Sequence, residues 1–220
     1  MLEAGARSAV IFASGMEKET ISRHFAPEEK GTLLEYVLDS VWTVADELFV
    51  VFDNEPDLQM IESISPFGVK ILSSNGENPV ITICNAFKSA KSEHCLLVTE
   101  RVPLLKPNVV LSLFENAIGY DLAIPRWKRG KTEPMLAAYR RNAFTRLVST
   151  WKSKLGDNVE KDISTLAEQL FAVKYIPIEK ELHELDPELD SFLEVTDKKS
   201  LQMARSKASI RGKVRPKKAR

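Results

Sequence analysis

Residues 121–141 read DLAIPRWKRGKTEPMLAAYRR, and this stretch decides the fold. A short apolar run, Leu122–Ile124, stops at Pro125-Arg126. A basic loop follows, in which Arg126, Lys128, Arg129 and Lys131 surround Trp127. Glu133-Pro134 then turns the chain into a second apolar run that ends at Tyr139. The pattern predicts two strands joined by a cationic loop. A cationic rim beside an aromatic ring suits an anionic ligand with a flat ring system, through charge pairing and stacking. A loop of this kind is also often merely solvated.

Outward from this segment, strand-like runs alternate with helical patterns. On the N-terminal side these are Ser8–Ala13 then Leu33–Val44, Glu47–Phe52 then Asp57–Ile64, Val69–Leu72 then Val80–Lys91, and Cys95–Val98 then Asn108–Ala117. Such alternation predicts βαβ units and a parallel sheet. The runs VVF, CLLV and LAI are almost continuously apolar, as in strands covered by helices on both faces. The expected fold is an α/β protein, a three-layer α/β/α sandwich with a mostly parallel sheet. Leu33, Leu34, Val37, Leu38 and Val41 form one stripe at helical spacing and predict the core face of the first helix. Trp42 and Phe87 are expected on core faces as well. Beyond Asn142 the pattern is helical through Trp151 and again from Ile163 to Leu170, followed by a strand over Ala172–Ile178 and a short last helix over Lys198–Ala204. Asp197 is the expected N-cap of that helix.

A chain of 220 residues with 44% hydrophobic and 28% charged residues is long enough for one well-buried domain. The expected division is a single domain over 1–204 and a basic, disordered tail over 205–220. Formal charge is zero, but the tail holds eight basic residues and no acidic ones, against 23 basic and 31 acidic before it. The tail reads as a solvated arm, with sequence-independent contact to nucleic acid as the sharper alternative. No run approaches the roughly 18 apolar residues of a membrane span. The expectation is a cytoplasmic protein without membrane contact. Cys84 and Cys95 have neither metal-ligand spacing nor a histidine cluster and are expected as buried free thiols. His24, His94 and His183 lack a nucleophile pattern, so triad chemistry is not expected.

Open α/β sheets bind ligands outside the carboxyl ends of their strands, near the point where strand order reverses. The segments there are Ser14–Lys30, Asp53–Pro56, Ser73–Pro79, Thr99–Pro103 and Pro125–Thr132. Together with AVIFASG, GTLLEYVLDSV, NPVITICNAFKSA, LLVTERVPLL, TEPMLAAYRR and DPELDSFLEVTDKKSL, the chain resembles the MobA-like nucleotidyltransferases over roughly residues 8 to 204. That family includes the molybdenum cofactor guanylyltransferases. The resemblance implies a Rossmann-like, nucleotide-diphospho-sugar transferase-like fold. It also implies transfer of a nucleoside monophosphate from a nucleoside triphosphate, GTP, to a phosphate on an acceptor such as molybdopterin, with magnesium and release of pyrophosphate.

Carried over residue by residue, the resemblance implies nucleotide binding by Ala13, Ser14 and Gly15, with Arg23 and Lys30 as candidate cations. Lys18 lies in the same loop, but none of the three stands at the family's offset from Gly15. It implies catalysis at Glu100 and Arg101, and acceptor binding at Arg126, Trp127, Lys128 and Glu133. The family places a magnesium-binding aspartate after its central strand. Here Arg101 takes that position, with Glu100 one residue earlier, and a guanidinium cannot ligate a cation. A displaced magnesium site built from Glu100 and Glu194 is one expectation; Arg101 as a phosphate clamp, or in a plain ion pair, is another. The same departures leave two readings open, an active nucleotidyltransferase and a family member that binds a nucleotide or a protein partner without turnover.

Overall fold

A computed structural model of the chain describes residues 6–14, 25 and 31–210. In chain order the first half comprises β1 (Ser8–Ala13), α1 (Leu33–Trp42), β2 (Glu47–Phe52), α2 (Leu58–Ile64), β3 (Lys70–Ser73), α3 (Pro79–Ser89), β4 (His94–Thr99) and α4 (Pro107–Ala117). The second half comprises β5 (Leu122–Arg126), β6 (Leu136–Arg140), α5 (Arg141–Trp151), α6 (Val159–Glu168), β7 (Val173–Pro177), α7 (His183–Leu185) and α8 (Lys198–Ile210). The strands form one sheet in the order β3-β2-β1-β4-β6-β5-β7, parallel except for β6, which runs antiparallel to both neighbours.

Each strand alternates its side chains between two apolar layers. Along β1, Ala9, Ile11 and Ala13 join the layer under α1 and α4, while Val10 and Phe12 join the layer under α3, α5 and α6. With both faces covered, β1 has no exposed residue, which explains its unbroken apolar sequence. Leu33, Leu34, Val37, Leu38 and Val41 are all buried, as their spacing predicts. The helix opens with a capping box in which Thr32 accepts from the Glu35 N–H and the Glu35 carboxylate accepts from the Thr32 N–H. Trp42 departs from expectation. It is the last residue of α1 and 49% exposed, because Val41 takes the final inward position and the next residue is turned about 100° away.

The aromatic centre of the second layer is Tyr139, fully buried against Phe87 and Phe144, with its hydroxyl donating to the Pro134 carbonyl at 2.8 Å. A smaller cluster of Phe25, Leu33, Leu104, Val195, Leu201 and Ala204 seats α8. Asp197 caps α8 by accepting from the Ser200 N–H at 2.7 Å. The helix runs to Ile210, past the boundary expected at 204, because Arg205 donates to the Phe25 carbonyl and Lys207 pairs with Asp190 at 2.5 Å. The rest of the expected tail, 211–220, lies outside the described residues. Among those residues, no helix is long and apolar enough to cross a membrane.

The chain steps outward from β1 to β2 to β3, then returns to place β4 on the other side of β1. Strand order therefore reverses between β1 and β4, and the connections leaving their carboxyl ends diverge and open a crevice.

Candidate functional site

Ser14 and Glu100 stand at this reversal point. Glu100 follows β4 directly, its N–H donating to the Phe12 carbonyl of β1 at 3.0 Å. The Ser14 hydroxyl donates to the Glu100 carboxylate at 3.3 Å, and Glu100 is only 9% exposed. Ala13 closes β1 beside them, and its carbonyl accepts from the Asp53 N–H at the end of β2. Gly15, Lys18, Arg23 and Lys30 lie outside the described residues.

Arg101 is tied down from two directions. Its Nη2 pairs with Glu194 at 2.7 Å and also with Glu160 in the first turn of α6. Its carbonyl accepts from the Val195 N–H at 2.7 Å, and its own N–H donates to the Thr99 hydroxyl. Arg101 thus joins the end of β4 to a helix of one outer layer and to the extended segment before α8. Only 16% of its side chain is exposed, so water screens these pairs less than it would at the surface.

This arrangement bears on the expected magnesium site. The Glu194 carboxylate is taken by a guanidinium, and Arg101 itself brings positive charge where a divalent ion would have to sit. Among the described residues, no group of three or more His, Cys, Asp or Glu converges as a metal-binding cluster. Glu194, paired in this way, does not stand free as the second carboxylate of the expected site with Glu100.

The cationic loop closes as a hairpin between β5 and β6. The Trp127 N–H donates to the Lys131 carbonyl and the Gly130 N–H to the Trp127 carbonyl, both at 2.8 Å. Gly130 takes φ +92°, a conformation that L side chains rarely adopt, which explains a glycine at this point of the turn. Trp127 is half-buried and already engaged. Its indole N–H donates to Glu133 at 2.5 Å and its ring meets Phe192 edge-on at 5.7 Å. Glu133 also pairs with Lys131 at 2.9 Å. These two residues therefore brace the hairpin. Arg126 and Lys128 are exposed, with the Arg126 guanidinium 4.8 Å from the Tyr175 ring and the Lys128 backbone N–H bound to the Glu179 carboxylate.

Of the expected site residues, the structure pairs Ser14 with Glu100 and Arg101 with Glu194, the two pairs meeting at consecutive positions after β4. Arg126 lies on the same edge of the sheet, but β6 stands between β4 and β5. Two strand steps separate the pair by about 10 Å. Sequence reading missed Glu160, Glu179 and Phe192, each of which fixes a site residue from a distant part of the chain. Within the strand-end segment Ser73–Pro79, Ser74 is buried and its hydroxyl has no hydrogen-bond partner among the described residues. The acidic first turn of α6 behind the Asn158 cap was the one local signal that bore on Glu160.

The family model of the MobA-like NTP transferase domain matches residues 13–168. The chain is 25% identical over 204 residues to a protein of Methanosarcina mazei named probable molybdenum cofactor guanylyltransferase, covering 89% of this chain and 88% of that one. A protein of the same name from Methanosarcina acetivorans is 24% identical over 200 residues, covering 86% and 85%. Among solved structures, molybdopterin-guanine dinucleotide biosynthesis protein A from Archaeoglobus fulgidus superposes with a TM-score of 0.70 at 23% identity, covering 93% of this chain and 99% of that one. A 4-diphosphocytidyl-2C-methyl-D-erythritol synthase from Anaerococcus prevotii gives 0.69 at 14% identity, covering 93% and 96%. These superpositions carry the nucleotidyltransferase fold.

Proposed function

The chain belongs to the family of MobA-like NTP transferase domains, and from that membership we propose that it is a nucleotidyltransferase that moves a guanylyl group from GTP onto the phosphate of molybdopterin. In this reaction an oxygen of the acceptor phosphate attacks the α-phosphorus of GTP. A new P–O bond forms, the bond from that phosphorus to the β-phosphate bridging oxygen breaks, and pyrophosphate leaves. Such a step asks little covalent chemistry of the protein and much positioning. Magnesium enters this reading only as the counter-ion that the nucleotide's own phosphates carry.

The observation that supports the reading best is the pairing of Ser14 with Glu100 across the reversal point between β1 and β4, where the fold class places its ligands. Ala13 and Ser14 would receive the donor's phosphates. Arg126 and Lys128, on the same edge but two strands away, would receive the acceptor's anionic group, with Trp127 and Glu133 holding the hairpin in place. Both substrates belong to the cytoplasm, which is where this reading puts the protein. The test is pyrophosphate release from GTP on addition of molybdopterin; no release above the acceptor-free control overturns it.

One observation favours a second reading, binding without transfer. Arg101 stands where the resemblance expects a metal-binding carboxylate, and two glutamates already claim it. Calorimetric binding of GTP without any pyrophosphate release selects that reading.

A further inference from the structure

Arg101 presents an imbalance that its ion pairs do not explain. A guanidinium has five N–H donors in a planar fork. Both carboxylates, Glu160 and Glu194, bind the same nitrogen, Nη2. The Nε–H is buried and has no hydrogen-bond partner among the described residues. A buried donor left unpaired is unfavourable, and such a group is open to a water or a ligand; Arg140 and Arg141 show the same feature, so the position of Arg101 carries the argument. Meanwhile the two carboxylates are 49% and 35% exposed, so either can swing into water at little cost.

The position of this group narrows the ligand. Arg101 follows Glu100 at the carboxyl end of β4, beside the reversal point with β1. A tetrahedral phosphate offers several oxygens to one planar fork and carries more charge than a carboxylate, so it can reach the Nε–H that the two carboxylates on Nη2 leave idle. We propose that Arg101 is a phosphate-binding residue of the nucleotide site, held in place by Glu160 and Glu194 until the phosphate displaces one of them. This rests on the reading of the site as a nucleotide site and adds a cation to the phosphate contacts of Ala13 and Ser14. The guanidinium then neutralises phosphate charge at the position where the resemblance expects a metal-binding carboxylate. The two glutamates keep the fork oriented in the empty site and compete with the ligand for it.

Competition gives the test its sign, because a structural ion pair and a displaceable one respond oppositely to removal of the carboxylate. Inorganic pyrophosphate is titrated by calorimetry into the full chain with EDTA present, for the wild type and for Glu194→Gln, Glu160→Gln and Arg101→Gln. Each glutamate variant should bind pyrophosphate about threefold to tenfold more tightly, the effect of removing one partly screened charge and one competitor a few ångströms away. Arg101→Gln should bind at least about tenfold more weakly, as loss of a charged donor to phosphate predicts. The proposal is overturned if the glutamate variants bind equally or more weakly, if Arg101→Gln keeps full affinity, or if neither the wild type nor the glutamate variants bind. If Arg101→Gln does not fold, the two glutamate variants decide alone, since both retain the arginine. Failure here is separable from failure of the transferase reading. Pyrophosphate released from GTP by Arg101→Gln at the wild-type rate sinks this inference alone, and altered pyrophosphate affinity without any transfer sinks only the transferase.

Discussion

Replacement of Asp186 by alanine should destabilise the protein by about 3 kcal/mol and loosen the site with it. The Asp186 side chain is fully buried; Lys106 Nζ stands 2.6 Å from one carboxylate oxygen, and the Ser191 N–H donates to the other at 2.7 Å. The Ser191 hydroxyl in turn accepts from the Lys106 N–H at 3.0 Å. This lock joins the loop after β4 to the segment that carries Phe192, Glu194 and Val195, and so to Trp127 and Arg101. Removing one partner of a buried ion pair costs about 3–5 kcal/mol. Lys106 is 27% exposed and can reach water, which puts the loss at the lower end. The orphaned Ser191 N–H would cost about 1–3 kcal/mol alone and overlaps with it. Asp186→Asn keeps an acceptor for that N–H and should lose about 1–2 kcal/mol at pH 7.

Burial pushes the Asp186 carboxyl up, but hydrogen bonds from Lys106 and Ser191 together outweigh it and hold the group below its ordinary 3.8. A depressed folded-state value means that ionisation stabilises the fold above the unfolded value and that this contribution drains away as pH falls through the folded one. The gap between wild type and Asp186→Asn should therefore be widest at neutral pH and shrink below about pH 4. Urea unfolding at pH 7 and pH 3, with the slope checked for constancy, measures both effects. An Asp186→Ala loss under about 1 kcal/mol at pH 7 would refute the reasoning, as would a pH-independent gap for the asparagine variant.

Three further outcomes are expected. Tyr139→Phe should cost about 1 kcal/mol and lower Tm by about 2–4 °C in a thermal scan, because the hydroxyl loses one bond to Pro134 while its ring keeps its aromatic neighbours. Thr32→Ala removes a side-chain acceptor from the capping box of α1 and should cost about 1 kcal/mol in urea unfolding; Thr32→Ser should be close to neutral. Burial raises the Cys95 thiol to about 11, with the Ser92 hydroxyl and Arg141 pulling the other way, and burial raises Cys84 as well. Neither thiol should react with iodoacetamide in the native protein at pH 8, and both should react in denaturant; rapid labelling of the folded chain contradicts the buried placement.

The fold was legible because its signals are local. Runs such as VVF and CLLV carry their own statement of two-sided burial, and the stripe from Leu33 to Val41 needs no knowledge of the rest of the chain. The site was legible only where it sits at strand ends, as with Ser14 and Glu100. The partners of Arg101 could not be read, since Glu160 and Glu194 come from a helix and an extended segment far along the sequence, and an exposed glutamate announces nothing about its neighbour. Trp127 has partners that its neighbours in sequence do not announce. Its cationic surroundings suggest an open stacking surface, yet Phe192 and Glu133 claim the ring and its N–H. The last helix outran its expected end because Arg205 and Lys207, read as tail charges, find partners on the body.

Strand β6 runs against its neighbours and so acts as a spacer between the two halves of the edge. Its hairpin can change in length or charge at a distance from the pairing of β1 with β4. If the proposed assignment of the hairpin to the acceptor holds, acceptor preference can drift over evolutionary time while the donor end stays fixed, and a graft of residues 126–133 from a relative should exchange the acceptor and keep the donor.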